Sequence, residues 1–481
     1  MTTRKIGAAS LARLMGGWQA DGGRVPAYRQ IQQALSLLIL DGRLPIGIRL
    51  PGERHLAVEL DVSRTTVAAA YGELRELGFT SSRHGSGSMT RLPSERARQP
   101  SLPESGGIEF SIAALPAPKE VHSAYVQALA ELPRYLPTTG YEPAGLAVLR
   151  AAVASRYTQR GTKTSPDQIL VTQGAQHGLV LALNLLTRPG DRIVVDHPTY
   201  SKALEAIANA SCQAVPVTLP AVGWDVDQLG TALIQTGAKL AYLLPDFHNP
   251  TGRCMDEFAR ARVAKLAAEQ GRRLIIDETM VDLWLDAPPP RPLAAFDRTG
   301  KVFTLGSMGK SFWGGMRIGW IRADRETIAA LAAARAANDM GSPILEQLAA
   351  AILLENHEEA LVDRRATIRA QRDHLVTSVR DRLPDWKFDI PPGGLSAWAE
   401  LPLPISTALA AAAHDLGARI APGGRFGVDG AFDRFVRLPY ALPEPVLSDV
   451  VDRLAMAWEQ VSRQPARRRI RKQPMELTAA I

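Results

Sequence analysis

The chain has 481 residues, 46% of them hydrophobic, and a formal net charge of +7 from 56 basic and 49 acidic side chains. That length exceeds what a single core usually serves and predicts one small and one large domain, while the basic balance permits nucleic-acid contact without showing it. Only Cys212 and Cys254 occur, the first ten residues lack an apolar signal core, and no apolar run approaches the roughly 20 residues that span a bilayer; the expectation is a soluble, cytoplasmic protein outside the disulfide-rich secreted and helical membrane classes.

The first periodic stretch places Tyr28, Ile31, Leu35, Leu38 and Ile39 at helical spacing and stops at the turn DGRLPIG. A second short helix is predicted after Pro51 in PGERHLAVEL. A third follows Ser63 as N-cap, with a stripe of Val67, Ala70, Tyr71, Leu74 and Leu77. Two short helices joined by a tight turn make a helix-turn-helix, and FTSSRHGSGSMT, alternating around Gly85 and Gly87, predicts a hairpin beyond it. Residues 24–91 hold nine Arg and six acidic residues, net +3. Arg64, Thr65 and Thr66 fall on the first turn of the third helix, where hydroxyls and free amides hold phosphates and an arginine can reach a guanine edge.

The run LPGERHLAVELDVSRTTVAAAYGELRELGF followed by HGSGS resembles the GntR family of winged-helix regulators. The resemblance implies DNA contacts from Arg54, Ser63, Arg64, Thr65 and Thr66, with His84 and Gly85 at the wing tip. The chain departs from the family at Ala68, where arginine is common. The reader is assigned to residues 22–91.

Composition shifts at residues 92–107, LPSERARQPSLPESGG, where Pro, Ser and Gly make up half of the segment; such a stretch buries no core and reads as a linker. Fully extended, it reaches roughly 55 Å at about 3.4 Å per residue.

From 108 to 462 helical stretches alternate with the apolar runs DQILVTQ, DRIVVDHP, KLAYLLPDF, RRLIIDET and KVFTLGS. The alternation predicts an α/β sheet of parallel strands with ligands at their carboxyl ends. Those ends are chemically suggestive. Gly174, Ala175 and Gln176 start a helix whose free amides suit a phosphate. Tyr200 can stack on a flat ring, Asn249 can donate to a ring hydroxyl, and Asp277 can pair with a protonated pyridine nitrogen. Lys310 is an amine able to form a Schiff base, aided by any neighbour that lowers its pKa, and Ser307 and Arg317 can hold a phosphate beside it. The set predicts binding of pyridoxal 5'-phosphate.

Singly, each residue has a plain alternative: a helix cap, a core aromatic, a surface lysine. The sequence SMGK also fits the S-x-x-K of penicillin-binding enzymes, but their companion motifs are missing. The nine histidines include no i, i+4 pair and there is no C-x-x-C, so no metal site is expected.

In the order TQGAQ, PTY, HNPTG, DE, SMGK and Arg317, residues 110–460 resemble fold-type I aminotransferases. That likeness implies Tyr135 as a phosphate contact across a dimer interface and Arg437, in RFVRLPY, as the guanidinium that clamps a substrate carboxylate. It also marks a departure at Thr279, where the family usually has the tyrosine that hydrogen-bonds the cofactor's ring oxygen.

A GntR-like winged helix-turn-helix (α+β) ahead of a large α/β, fold-type I transferase-like domain resembles the MocR family of bacterial regulators. The resemblance implies a homodimer with swapped readers, operator DNA as partner, and pyridoxal phosphate or its amino-acid adduct as effector. Sensing rather than turnover is the expected use of the large domain, with slow half-transamination conceivable; a working aminotransferase with a DNA tether is the alternative, and a cofactor-free DNA-binding protein a third reading. The tail RQPARRRIRK, at 463–472, carries six basic residues and no acid and is expected to be a disordered, solvated end or a source of nonspecific phosphate contact.

Overall fold

Four helices and a hairpin make the reader in a computed structural model that describes residues 5–18, 26–40, 42–83, 87–91 and 107–462. His84, Gly85, the linker at 92–106 and the basic tail from 463 onward lie outside the described residues. Helix α1 (Ala8–Met15) is followed by α2 (Ala27–Leu40), α3 (Glu53–Leu60), α4 (Arg64–Glu76) and the antiparallel pair β1 (Thr80–Arg83) and β2 (Gly87–Thr90), in register from Thr80↔Thr90 to Arg83↔Gly87. The expected stripe of α4 is buried at Val67, Ala70, Tyr71 and Leu74, and Tyr71 donates its hydroxyl to the carbonyl of Pro51 at 2.9 Å, locking α4 to the entry of α3. Leu77 is the exception. The helix ends one residue earlier and turns at Gly78, φ 79°, leaving Leu77 46% exposed.

The reader also begins earlier than residue 22. Leu11 and Met15 of α1 and Trp18 after it belong to the same core as Ile31, Leu35 and Leu38. A helix of eight residues with two inward side chains gives too few turns for a periodic signal.

In the large domain, β3 (Ile108–Phe110) precedes β4 (Ile169–Thr172), β5 (Arg192–His197), β6 (Gln213–Thr218), β7 (Leu240–Leu243), β8 (Arg273–Asp277), β9 (Val302–Ser307) and β10 (Gly319–Arg322). The main sheet has the order β4-β10-β9-β8-β7-β5-β6. Strands β5 to β9 run parallel, as the alternation predicts, and β10 runs antiparallel to both β4 and β9. The five apolar runs are β4, β5, β7, β8 and β9. Strand β6 lies at the sheet edge with one buried residue, so its sequence is not a continuous apolar run.

A second sheet, β11 (Ser396–Glu400), β13 (Phe435–Pro439), β12 (Ala418–Pro422) and β3 in that order, is packed with the helices Ser406–Asp415 and Glu444–Ser462 around Leu409, Val436, Leu447 and Val450. The reader is seated here. Helix α2 packs on Ser406–Asp415, and Trp18 and Ala34 share a small cavity with Thr407 and Ala408. Asp433 accepts the backbone N–H of Gly17 and of Thr407 and the hydroxyls of Ser406 and Thr407, each at 3.0 Å, so one carboxylate ties the end of α1 to the start of the underlying helix. Within this single chain the reader rests on its own large domain. Among the described residues no helix is long and apolar enough to cross a membrane.

Candidate cofactor site and nucleic-acid interface

At the carboxyl end of β4 the chain turns at Gly174, φ 95°, into the helix Ala175–Leu186, leaving the amides of Ala175 and Gln176 free of helical partners. A Cβ on Gly174 would lie 3.3 Å from Arg317 Nη2. Only glycine therefore allows both the positive φ and the approach of that guanidinium. Arg317 is exposed and donates to the carbonyl of Gln173 at 2.8 Å. Ser307, at the end of β9, accepts the N–H of Gly309 at 3.0 Å and caps the one-turn helix that carries Lys310. Gln176 turns its side-chain amide to the carbonyl of Lys202, so what it offers at the helix start is its backbone N–H. Amides, hydroxyl and guanidinium thus converge as a phosphate cradle requires.

Asp277, at the end of β8, is buried and accepts the hydroxyl of Tyr242 at 2.7 Å and the N–H of Thr279 at 3.0 Å. Burial pushes its pKa up; Tyr242, the amide and hydroxyl of Thr279, and the Lys310 charge pull it back. Thr279 thus gives its backbone N–H to Asp277. Tyr200 sits half-buried before the helix Ser201–Asn209, its phenol pushed up to about 12 chiefly by burial and then by Asp277.

Lys310 is half-buried and donates from Nζ to the carbonyl of Ala113 at 2.6 Å. Burial first, and Arg437 second, lower its pKa to about 8 against the opposing pull of Asp277. Behind it, Ser311 donates to Asp282 at 2.6 Å, and Asp282 forms a buried ion pair with Arg156. Burial works to raise Asp282, yet Arg156 and the hydrogen bonds carry it down to about 2.

Arg437 is no surface strand residue: it is buried on β13, donates to Asn249 Oδ1 at 3.2 Å and to the carbonyl of Ser111, and lies over the Phe426 ring at 5.0 Å. Asn249 is buried and engaged with this guanidinium.

The structure therefore brings together Gly174, Ala175, Gln176, Tyr200, Asn249, Asp277, Thr279, Ser307, Lys310, Arg317 and Arg437. Tyr135 stays apart: it packs against the cluster behind Met308 and Met316, and its hydroxyl bonds none of these residues. Three features escaped the sequence reading. Tyr242 is hidden in an apolar strand, though a tyrosine amid aliphatics is a signal that its hydroxyl has a buried partner. The carbonyls of Ser111 and Ala113 are backbone and leave no mark. Arg425, in the turn Gly423–Phe426, lies near enough to act electrostatically on Arg437 and Tyr200.

The residues fit a phosphorylated pyridine aldehyde: a glycine cradle for its phosphate, a lone buried carboxylate for its ring nitrogen, and an amine of lowered pKa for its aldehyde.

On the reader, Arg54, Ser63, Arg64 and Thr65 are exposed and Thr66 is half-buried. Ser63 Oγ accepts the N–H of Thr66 at 3.0 Å and hydrogen-bonds the hydroxyls of Thr65 and Thr66 at 2.7 and 2.8 Å. Arg64 donates to Glu53 at 3.1 Å, so it must leave that carboxylate to reach a base.

Residues 118–454 match the aminotransferase class I and II family, and residues 27–89 match the gntR family of bacterial regulatory proteins. The chain is 30% identical over 423 residues to the uncharacterized HTH-type transcriptional regulator YisV of Bacillus subtilis (strain 168), covering 79% of this chain and 86% of that protein. It is 30% identical over 336 residues to aromatic-amino-acid aminotransferase 1 of Thermococcus litoralis, covering 67% of this chain and 79% of that protein. Among solved structures, kynurenine aminotransferase of Pyrococcus horikoshii superposes with a TM-score of 0.69 at 26% identity, over 75% of this chain and 92% of that one.

Proposed function

The chain belongs to the aminotransferase class I and II family and joins to it a gntR-type reader in the MocR arrangement, and from that premise we propose that it regulates transcription by letting the occupancy of the large domain set how the reader is held for DNA. The cofactor is pyridoxal 5'-phosphate. Bound, it supplies an aldehyde that condenses with amines and a ring that withdraws electrons. Ala175, Gln176, Ser307 and Arg317 hold the phosphate; Asp277, steadied by Tyr242 and Thr279, takes the proton side of the ring nitrogen; Lys310 Nζ offers its lone pair; Arg437 takes a ligand carboxylate.

The observation that carries the regulatory reading is where the reader rests. Its turn after α2 lies on the walls of the cofactor site: Gly42 faces Glu205, just past Tyr200, and the Arg43 guanidinium lies against Gly424, next to Arg425. With Asp433 holding Gly17, a shift of the loop between β12 and β13 is felt directly at the reader. A passive tether needs no such seat. Ligand with different affinity for seated and released readers then shifts their population.

Turnover is a lesser use in this reading, since Thr279 stands where the likeness to aminotransferases expects a tyrosine on the ring oxygen, and its N–H is taken by Asp277. The regulator acts in the cytoplasm as a homodimer, which lets two readers engage paired half-sites. Its contact face includes the row Val126, Leu129, Leu136 and Tyr141, each more than half exposed, near Tyr135. The deciding experiment is binding to the DNA upstream of its own coding region by apo, cofactor-loaded and Lys310→Ala protein, with steady-state turnover on an amino acid and a keto acid beside it. A loading-dependent change in affinity that Lys310→Ala abolishes is expected. Equal DNA binding in all forms with brisk turnover would instead make the protein an enzyme.

A further inference from the structure

We propose that the amine ligand of this site is an acidic amino acid, with Arg437 on its α-carboxylate and Arg425 on its second carboxylate. This rests on the reading above, that the site takes an amine bearing a carboxylate.

Six buried or half-buried guanidiniums in this domain are matched with acids. Arg156 pairs with Asp282, Arg160 with Glu278, Arg260 with Asp246, Arg335 with Asp339, Arg365 with Glu358 and Arg372 with Asp286. That is the expected arrangement, because an uncompensated buried charge is costly. Arg437 and the half-buried Arg425 lack such an acid, as do Arg322, which meets the Thr164 hydroxyl, and Arg364, which meets two backbone carbonyls. What sets Arg437 and Arg425 apart is that they lie close enough to feel each other beside the cofactor site. Arg437 is 6% exposed, its terminal nitrogens meet only an amide oxygen and a backbone carbonyl, and its Nε is buried with no acceptor. Arg425 Nε is likewise buried with no acceptor, and neither arginine forms an ion pair among the described residues.

Their placement points both into one space. Arg425 sits in the turn leaving β12, whose Ala421 is in register with Arg437 on β13. The next residue, Phe426, lies under the Arg437 guanidinium and accepts the N–H of Thr199 at 2.9 Å, which brings the turn beside Tyr200. Each of Arg437 and Tyr200 feels the Arg425 charge. Lys310 adds a third cation when protonated; Asp277 is set against it, and Glu205, which acts on Tyr200, is already paired with Lys202. A ligand with one carboxylate offsets one guanidinium and leaves the other without a carboxylate partner. A second carboxylate supplies that partner and gives the Arg425 Nε its missing acceptor.

The test uses isosteric pairs, so that charge alone varies. Full-length, cofactor-loaded protein is titrated with L-glutamate, L-glutamine, L-aspartate and L-asparagine, and binding is read by visible absorbance and by calorimetry. The expected result is that the acid of at least one pair binds about tenfold or more tighter than its amide, as charge-assisted bonding allows. In Arg425→Gln that preference falls below about twofold while the amide's affinity is kept, and Arg425→Lys retains part of the preference. Equal binding of acid and amide by the unaltered protein overturns the proposal, and so does an Arg425→Gln variant that weakens both alike. Reader DNA affinity is measured in the same samples. If the acid preference depends on Arg425 but DNA affinity is indifferent to it, this inference stands and the regulatory reading falls. If DNA affinity responds equally to acid and amide, the regulatory reading stands and this inference falls.

Discussion

The reader and the large domain handle charge in opposite ways. The reader's interior is apolar, with Leu11, Ile31, Leu56 and Val67 at its centre, and its functional groups stand at the solvent face: Ser63, Arg64 and Thr65 are exposed, and the Arg64 to Glu53 pair has side chains 59% and 34% exposed. The large domain carries its charges inside, in the pairs Arg156 to Asp282 and Arg160 to Glu278 and in the unpaired Arg437. Exposed charges exchange freely with phosphate and are screened by salt; buried ones are held ready by the fold, and their removal unbalances it. One part is built to be changed by its surroundings and the other to hold a ligand against them.

Removing Lys310 gives the sharpest view of the buried half. Lys310→Ala is expected to abolish the visible absorbance of the covalently bound cofactor while its phosphate contacts, Ala175, Gln176 and Arg317, still hold the molecule weakly; absorbance together with dialysis checks both. Arg156→Leu strikes the charge network instead. It leaves Asp282 buried with Ser311 as its one side-chain donor, and the loss in unfolding free energy by chemical denaturation is expected at about 3–5 kcal/mol. A change under about 1 kcal/mol would mean that the interior is far wetter than the contrast requires.

Acidity offers a gentler probe. Lys310 must be neutral to attack an aldehyde, and its folded pKa is held near 8. The rate of cofactor capture by apo protein should therefore climb about tenfold per pH unit below 8 and level off above it. For stability, the folded value lies below the ordinary lysine value of 10.5. Both states bear the proton below 8, and between 8 and 10.5 the unfolded chain binds more of it. This group's contribution to apo stability thus rises across that window and is flat outside it. Stopped-flow capture and denaturation at stepped pH read the two effects separately.

The same contrast explains how much could be read from sequence. The five apolar runs and the residues at or just past their ends, Gly174, Asp277, Ser307 and Lys310, were legible because a strand buried on both faces is continuously apolar and the polar residue ending it is conspicuous. The stripe of α4 was legible for the same reason, and only Leu77 broke it, where the helix stops. What stayed hidden lacks such contrast. Helix α1 is too short to repeat, β6 is half-solvated at an edge, Ser111 and Ala113 act through carbonyls, and Tyr242 lies inside an apolar run. Arg425 in GGRF carries no spacing that separates it from a solvated turn. The seat of the reader was illegible because it joins Gly17 to Asp433, 416 residues apart.

At the reader surface the effects should be smaller and of a different kind, which two neighbouring residues can separate. Arg64→Ala removes a charge from the first turn of α4 and a weak surface pair with Glu53. Unfolding free energy should change by less than about 1 kcal/mol. DNA affinity should drop by about 1–3 kcal/mol if the guanidinium reads a base edge; if it meets a phosphate instead, the slope of log affinity against log salt should fall by about 0.9. Ser63→Ala removes no charge. It deletes the acceptor for the Thr66 N–H and the anchor of the Thr65 and Thr66 hydroxyls, so it should cost about 1 kcal/mol of stability and weaken DNA binding with the salt slope unchanged. The pair thus sorts position from charge within one helical turn. A Ser63→Ala variant with a reduced salt slope would show that the cap itself holds a phosphate through the helix amides, and the reader would then share with the cofactor cradle at Gly174 the same physical device on an exposed face.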